Sequence, residues 1–183
     1  ASTGALIDAY KQDLDNQILE KLRLDTSRFG KLVMPGHVVG NLKTEIAEET
    51  GLETVPVVAV AGHDTASAVA AIPALDRNFA YLSSGTWSLF GTEIPEPIVN
   101  NTSLSINITN EGGYGGMTEL LKNIIGLWLI QESRRQWKRE GAEYSYADLE
   151  RMALSAEPFK CFLDPDSPHL TPPGDIPGRV RQL

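Results

Sequence analysis

Two short polar segments, each beside an apolar run, carry the side chains that could do chemistry in this sequence. The first is Gly62-His63-Asp64-Thr65, which follows a Val/Ala-rich run and precedes a small-residue helical pattern. That order places a carboxylate at a strand-to-helix junction, where backbone N–H groups converge and anions are favoured. The second is Gly85-Thr86, a turn between two apolar strand-like pieces. An acid at one junction and a hydroxyl-rich glycine turn at another suggest phosphoryl transfer to an alcohol.

Asp64 has two interpretations on its position alone. As an acid at the start of a helical run it could be an N-cap, which stabilises a helix by about 1 kcal/mol. Alternatively, it could be a general base held beside a hydroxyl. Such a base need not be strong, because positioning and charge neutralisation supply most of the rate of phosphoryl transfer. His63 and Thr65 would then be hydrogen-bonding neighbours that grip sugar oxygens.

Thr86, Asn123 and Gln131 are the remaining candidates. Gly85-Thr86 could be an ordinary hairpin turn, or its glycine could let the backbone approach a phosphate to which Thr86 donates. Asn123 and Gln131 are predicted to lie on one helix, about 12 Å apart and rotated from each other by about 80° around the helix axis. That helix could contact a small substrate at one end and a nucleotide at the other. Alternatively, Asn123 caps the helix and Gln131 begins its polar end.

Hydrophobic periodicity predicts alternating strands and helices, hence the α/β class. Helices are predicted over 14–24, 43–50, from 64 up to the proline at 73, 121–139 and 146–155, and strands over 55–60, 79–82, 87–94 and 104–109. The nearly unbroken apolarity of 55–60 predicts a strand covered on both faces. The polar break after Pro73 predicts a domain boundary, with one domain in 1–73 and a second in 74–183. The glycine segment 110–116 is predicted to be a turn, since it lacks the Lys-Ser/Thr ending of a P-loop.

The composition of the chain argues against several classes of binding partner. The net charge of −8 argues against nucleic acid, because phosphate backbones need clustered Lys and Arg. No apolar stretch approaches the length of a membrane span, so no membrane partner is predicted. The single cysteine excludes an internal disulfide and fits a reducing cytosol, which predicts a cytoplasmic protein. Three scattered histidines do not have the spacing of a zinc site, and no metal-ligating residue is predicted.

Four segments together carry a family resemblance: 61–68, 82–88, 110–113 and 121–131. Their order and spacing resemble the FGGY carbohydrate kinases, within the actin-like ATPase superfamily. Gly-His-Asp-Thr-Ala-Ser with Ser-Ser-Gly-Thr-Trp is most similar to the members that act on L-rhamnulose. The resemblance implies an actin-like fold of two RNase H-like domains, with the active site in the cleft between them. It also implies transfer of the γ-phosphate of ATP to the 1-hydroxyl of a ketose, with Mg²⁺ neutralising the phosphates.

The resemblance assigns roles to single residues. Asp64 corresponds to the catalytic proton acceptor, and it contacts the ketose together with His63 and Thr65. Asn123 contacts the ketose from the second domain. The two residues implied to face ATP are Thr86 and Gln131.

Other interpretations stay open. One is a sister kinase for xylulose, ribulose or fuculose, and another is a non-catalytic actin-like nucleotide-binding module. A non-catalytic nucleotide-binding module would have little reason to place a His-Asp-Thr cluster beside a phosphate-binding turn. The family's amino-terminal Asp-x-Gly phosphate loop and its adenine-holding glycine segment are not in these 183 residues. We therefore expect a central part of a longer kinase with negligible turnover of its own; a monomer and a homodimer are equally compatible with the sequence.

Overall fold

The computed structural model describes residues 2–183 as a mixture of strands and helices. The strands are β1 Ile7–Asp8, β2 Asp13–Leu14, β3 Val38–Asn41, β4 Pro56–Val58, β5 Tyr81–Ser84, β6 Trp87–Ile94, β7 Ile108–Gly112 and β8 Thr118–Ile125. The helices are α1 Asn16–Lys21, α2 Thr44–Thr50, α3 Asp64–Ala70, α4 Asn101–Ser105, α5 Trp128–Arg139, α6 Tyr146–Ser155 and α7 Ile176–Val180. Short 3-10 helices occur at Ser2–Gly4, Thr26–Arg28 and Tyr114–Gly116. None of the helices in residues 2–183 has both the length and the apolarity that crossing a membrane requires.

The largest sheet has four strands in the order β5-β6-β8-β7. Strands β7 and β8 are antiparallel, and their register sets Glu111 opposite Glu119 and Asn110 opposite Leu120. Two smaller antiparallel ribbons pair β1 with β2 and β3 with β4. Because β7 and β8 are joined by only a short glycine-containing connection, the sequence itself brings the two glutamates into one ladder.

The described chain divides into two compact units. The first comprises the residues up to Ser83 together with Phe90–Lys122, and its buried apolar side chains include Ala66, Tyr81 and Leu121. The second comprises Ser84–Leu89 and Asn123–Leu183. Within it α5 contacts α7, and Leu170 and Ile176 are fully buried. The sequence predicted a boundary between two domains at residues 73 and 74. That domain boundary stays a prediction.

Two predicted helices are confirmed with their end signals. Helix α2 ends at Gly51, whose φ of 69° is the left-handed conformation that glycine adopts without steric cost. Helix α6 begins after Ser145, whose hydroxyl accepts from the Asp148 N–H while the Asp148 carboxylate accepts from the Ser145 N–H. This reciprocal capping box satisfies two backbone donors that would otherwise have no partner. Local side-chain chemistry was sufficient to place both ends.

The predicted single helix over 121–139 is wrong. Residues up to Ile125 belong to strand β8, and helix α5 begins only at Trp128. The apolar run was compatible with either period, and pairing with β7 decided for the strand. Asn123 and Gln131 therefore lie on different elements, so the inference that one helix presents both side chains is also wrong.

Two other predictions fail for related reasons. The strand over 55–60 is not covered on both faces: β4 is paired with β3 alone in a two-stranded ribbon, and Val57 and Val58 are 40% and 45% exposed. A two-stranded ribbon with no layer on its faces cannot bury them. The predicted strand over 104–109 gives way to helix α4, because the Asn100 side chain caps the Ser103 N–H, and β7 starts at Ile108. The helix over 14–24 is shorter than predicted, and Asp15 caps it.

A buried acid marks the first unit. Glu119 is 0% exposed, and its Oε2 accepts from the Tyr81 hydroxyl at 3.4 Å, while its Oε1 has no hydrogen-bond partner within residues 2–183. Burial, followed by the charge of Glu111 across the ladder, raises the pKa of the Glu119 carboxyl from 4.5 to about 7. Burial also raises the pKa of Tyr81, and the neighbouring Glu119 adds to that effect.

A glycine on β6 allows this packing, and substituting it should destabilise the protein. A Cβ on Gly91 would lie 2.7 Å from the Leu120 carbonyl oxygen and 2.9 Å from the Tyr81 hydroxyl. We expect Gly91→Ala to lower the free energy of unfolding by about 1–3 kcal/mol, the usual cost of overpacking. Gly30→Ala is the matched control, because a Cβ there meets nothing within 4 Å. Equal urea midpoints for the two variants would contradict this account.

The raised pKa of Glu119 predicts a pH dependence. The unfolded carboxyl ionises near 4.5 and the folded one near 7, so between these values the folded state binds more protons and stability falls as the pH rises. The side chain in Glu119→Gln is uncharged at every pH, so this variant does not have the pH-dependent loss of stability. Its stability relative to the parent protein should therefore increase by about 2–3 kcal/mol between pH 5 and pH 8. Urea unfolding of both proteins at each pH measures this, and a difference that does not change with pH would show that Glu119 ionises normally.

Candidate functional site

Asp64 is the first residue of helix α3 rather than its cap. The N-cap position belongs to His63, whose side chain makes no capping hydrogen bond. The capping interpretation of Asp64 is therefore wrong. The Asp64 carboxylate is 95% exposed, and its Oδ1 accepts from the Thr65 N–H at 2.8 Å. This single backbone bond fixes the carboxylate at the start of the helix and leaves its other oxygen free to accept a proton.

His63 lies between two carboxylates. Its Nε2 is 3.5 Å from Asp64 Oδ1, and its Nδ1 is 3.4 Å from Glu111 Oε2. The Glu111 side chain is 11% exposed, whereas Asp64 is open to solvent. The imidazole thus connects an exposed acid on α3 with a nearly buried one on β7.

Thr65 differs from its two neighbours in burial. Its residue surface is 6% exposed, and its N–H is engaged by Asp64. Its predicted contact with the ketose stays a prediction. In the structure, Thr65 helps to hold the Asp64 carboxylate through its backbone N–H.

A cavity of about 240 Å³ opens in the first unit next to His63. Its polar lining includes His63, Glu111, Asn110 and Gln12, and the remainder is mainly apolar. The apolar lining residues are Ile7, Ala9, Leu32, Val33, Met34, Pro35, Ala59, Val60 and Met117. A small cavity with a few polar groups at one side and apolar walls elsewhere is typical of small-molecule sites.

Thr86 and Gln131 are brought together in the second unit. Gln131 Nε2 donates to Thr86 Oγ1 at 3.4 Å. Because that oxygen accepts from Gln131, the Thr86 O–H proton can point toward a ligand oxygen. The two residues predicted to face a nucleotide are therefore neighbours, although they lie 45 positions apart in the sequence.

The turn that carries Thr86 is held against the start of α5. The N–H groups of Gly126 and Trp128 donate to the Thr86 carbonyl, and the N–H of Leu127 donates to the Gly85 carbonyl. A Cβ on Gly126 would lie 2.7 Å from the Gly85 oxygen and 2.5 Å from the Ser88 hydroxyl. Only glycine permits this approach, so Gly126 is what sets Gln131 beside Thr86.

Asn123 lies on β8, in the second unit, and is partly buried. This position does not test the predicted contact of Asn123 with the ketose, which stays a prediction.

Two residues of the site had no role in the sequence prediction. Glu111 belonged to a segment that was predicted to be a turn, but it lies on β7 and faces His63. The sequence prediction placed Gly126 inside a helix, where a glycine does not indicate a turn or a close backbone contact. The available signal was the β-branched pair Ile124-Ile125 directly before that glycine, which favours a strand ending at a tight turn.

Three comparisons with known proteins agree with one another. The profile described as "FGGY family of carbohydrate kinases, C-terminal domain" matches residues 80–183, and the corresponding N-terminal domain profile matches residues 1–71. The rhamnulokinase of Bacteroides thetaiotaomicron is 46% identical over 182 residues, which is 100% of this chain and 37% of that protein. The rhamnulokinase of Bacillus subtilis is 40% identical over 163 residues, 89% of this chain and 33% of that protein. The chain thus spans about a third of the length of these relatives.

Solved structures agree at the level of the fold. A ligand-bound xylulose kinase from Lactobacillus acidophilus has a TM-score of 0.64 at 18% identity, covering 83% of this chain and 30% of that one. The xylulose kinase from Rhodospirillum rubrum has a TM-score of 0.61 at 19% identity, covering 85% and 31%. The α/β architecture is therefore that of actin-like sugar kinases, as predicted. With both domain profiles matched along its length, the chain belongs to the FGGY family of carbohydrate kinases.

Proposed function

We propose that this chain is part of an ATP-dependent kinase that transfers the γ-phosphate of ATP to the 1-hydroxyl of L-rhamnulose. The observation that carries the proposal is the 46% identity, along the full length of the chain, to a protein named rhamnulokinase. The likeness to xylulose kinases is weaker, at 18% to 19% identity, and speaks for the fold alone.

Asp64 is the proposed general base. Its exposed carboxylate takes the proton of the sugar's 1-hydroxyl while the oxygen forms a bond to the γ-phosphorus. The bond between that phosphorus and the bridging oxygen breaks, and ADP leaves with the electron pair. The Thr65 N–H keeps the carboxylate in place through its bond to Oδ1, and His63 presents its ring to the cavity. A positioned carboxylate is adequate without being a strong base, since such transfers depend mainly on orientation and charge neutralisation.

Thr86 and Gln131 are the proposed contacts to ATP, and Asn123 is a proposed contact to the ketose from β8. The hydrogen bond between Gln131 and Thr86 supports a shared role for the first two. A rigid Gly-Thr turn with a free hydroxyl proton suits a phosphate oxygen. The reaction needs both the acid and this turn, so we propose that the two groups of residues act in one catalytic cycle.

Mg²⁺ is expected to accompany ATP, because the ion neutralises the triphosphate charge when bound. Within residues 2–183, no group of three or more His, Cys, Asp or Glu side chains lies close enough together to hold a metal ion. The residues present therefore do not form a cage for the ion, and we assign it no protein ligand and no step. A cytoplasmic location is proposed because ATP is the phosphate donor.

Asp64→Asn tests the proposed base. In the full-length protein that carries this chain, we expect kcat with L-rhamnulose and ATP to fall by at least about 100-fold, because the amide cannot accept the proton. Asp25→Asn is the matched control: Asp25 is an exposed cap that asparagine replaces well. A coupled ADP-release assay measures both variants, and thermal unfolding confirms that both are folded. A near-parental rate for Asp64→Asn would rule out the assigned base.

Thr86→Val tests the nucleotide contact. Valine keeps the branched shape and removes the hydroxyl, so a hydrogen bond to a charged phosphate is lost. We expect the KM for ATP to rise about 10-fold, while the KM for L-rhamnulose stays within about twofold. Thr50→Val is the control, because the Thr50 hydroxyl bonds only to carbonyls of its own helix. An unchanged KM for ATP in Thr86→Val would remove Thr86 from the nucleotide site.

A further inference from the structure

Two buried polar atoms in the first unit face each other. His63 Nδ1 and Glu111 Oε2 are both cut off from solvent, and neither has a hydrogen-bond partner within residues 2–183. They lie 3.4 Å apart. A buried donor or acceptor without a partner destabilises the folded protein. A proton on Nδ1, shared with the carboxylate, satisfies both atoms at once.

The β7–β8 ladder places the two glutamates opposite each other, but their surroundings differ. Glu111 and Glu119 are directly opposite each other in the β7–β8 register, and two like charges in that arrangement repel. Glu119 is fully buried and its nearest polar partner is the neutral Tyr81 hydroxyl. Glu111 instead faces an imidazole and keeps 11% of its side chain exposed. Burial and the facing carboxylate raise the pKa of Glu119 to about 7, so Glu119 holds a proton more readily than an exposed glutamate.

We propose that Glu111 is the positioning residue of the sugar site: its carboxylate accepts from His63 Nδ1–H and fixes the imidazole with Nε2 as a bare acceptor toward the ligand. This inference rests on the proposed sugar-kinase function and adds to it a residue and a tautomer. Fixing one nitrogen by a hydrogen bond determines what the other nitrogen can do.

The second ring nitrogen of His63, Nε2, determines how this residue could recognise the sugar. Nε2 lies 3.5 Å from Asp64 Oδ1, and both atoms are acceptors in this arrangement. Two acceptors at that separation suit two hydroxyl donors on adjacent carbons of a polyol. His63 lines the cavity together with Glu111, so a ketose hydroxyl can reach Nε2 while its neighbour donates to the carboxylate.

The first measurement needs no substrate. Long-range ¹H–¹⁵N spectra of the full-length protein, labelled at histidine and assigned with His63→Gln, report which ring nitrogen carries the proton. We expect the neutral Nδ1–H form for His63 in the parent protein. Finding the proton on Nε2 alone, or on both nitrogens at pH 7.5, would overturn the proposal even if the protein phosphorylates L-rhamnulose.

The second measurement uses variants of the pair. In Glu111→Gln the amide can donate to Nδ1 and favour the other tautomer. We expect kcat/KM for L-rhamnulose to fall at least about 10-fold with the KM for ATP within about twofold, and the His63 nitrogen signals to move. Glu119→Gln is the matched control, because it makes the same carboxyl-to-amide change on the opposite strand at a residue that does not line the cavity. It should leave both readouts unchanged.

Three outcomes separate the hypotheses. A parent protein without activity on L-rhamnulose refutes the proposed function, and the tautomer measurement still decides the role of Glu111. A Glu111→Gln protein with normal sugar kinetics and unmoved His63 signals refutes the positioning role alone. If Glu111→Gln does not fold, Glu111→Asp replaces it: the shorter side chain keeps the charge, and partial recovery of kcat/KM over Glu111→Ala is the supporting result.

Discussion

Two glutamates held opposite each other on β7 and β8 are the constraint on which the surroundings of His63 depend. The ladder fixes their backbones, so the two carboxylates cannot move apart without breaking strand pairing. Glu119 is buried and accepts from the Tyr81 hydroxyl, and Glu111 Oε2 lies 3.4 Å from His63 Nδ1. In our proposal this contact orients the imidazole that precedes helix α3, the helix that the exposed Asp64 carboxylate begins.

In the second unit, the contact between Thr86 and Gln131 depends on a close backbone approach. Gly126 lets the chain turn from β8 into α5 directly against the Gly85-Thr86 turn, and three backbone hydrogen bonds hold the two segments together. Any side chain at Gly126 would displace the turn. In each unit the candidate side chains are therefore held by contacts that are buried or made by the backbone, and this favours a fixed geometry.

The sequence was informative where chemistry is local and failed where partners are distant. Capping residues placed the ends of α2 and α6, and the order of motifs identified the sugar-kinase fold. Periodicity could not tell that residues 121–125 belong to strand β8, whose residues 118–122 pair with β7, because a short apolar run fits both a helix and a buried strand. Likewise, nothing local in Glu111 says that it faces His63, 48 positions earlier in the numbering. Such contacts arise only when the sheet forms.

The most direct test of the central claim is a crystal structure of the full-length protein with L-rhamnulose and a non-hydrolysable ATP analogue. The account predicts the sugar's 1-hydroxyl about 3 Å from an Asp64 carboxylate oxygen, the distance of a good hydrogen bond, with a second sugar hydroxyl on His63 Nε2. A sugar bound with its 1-hydroxyl on another acid, and Asp64 facing only water, would contradict it.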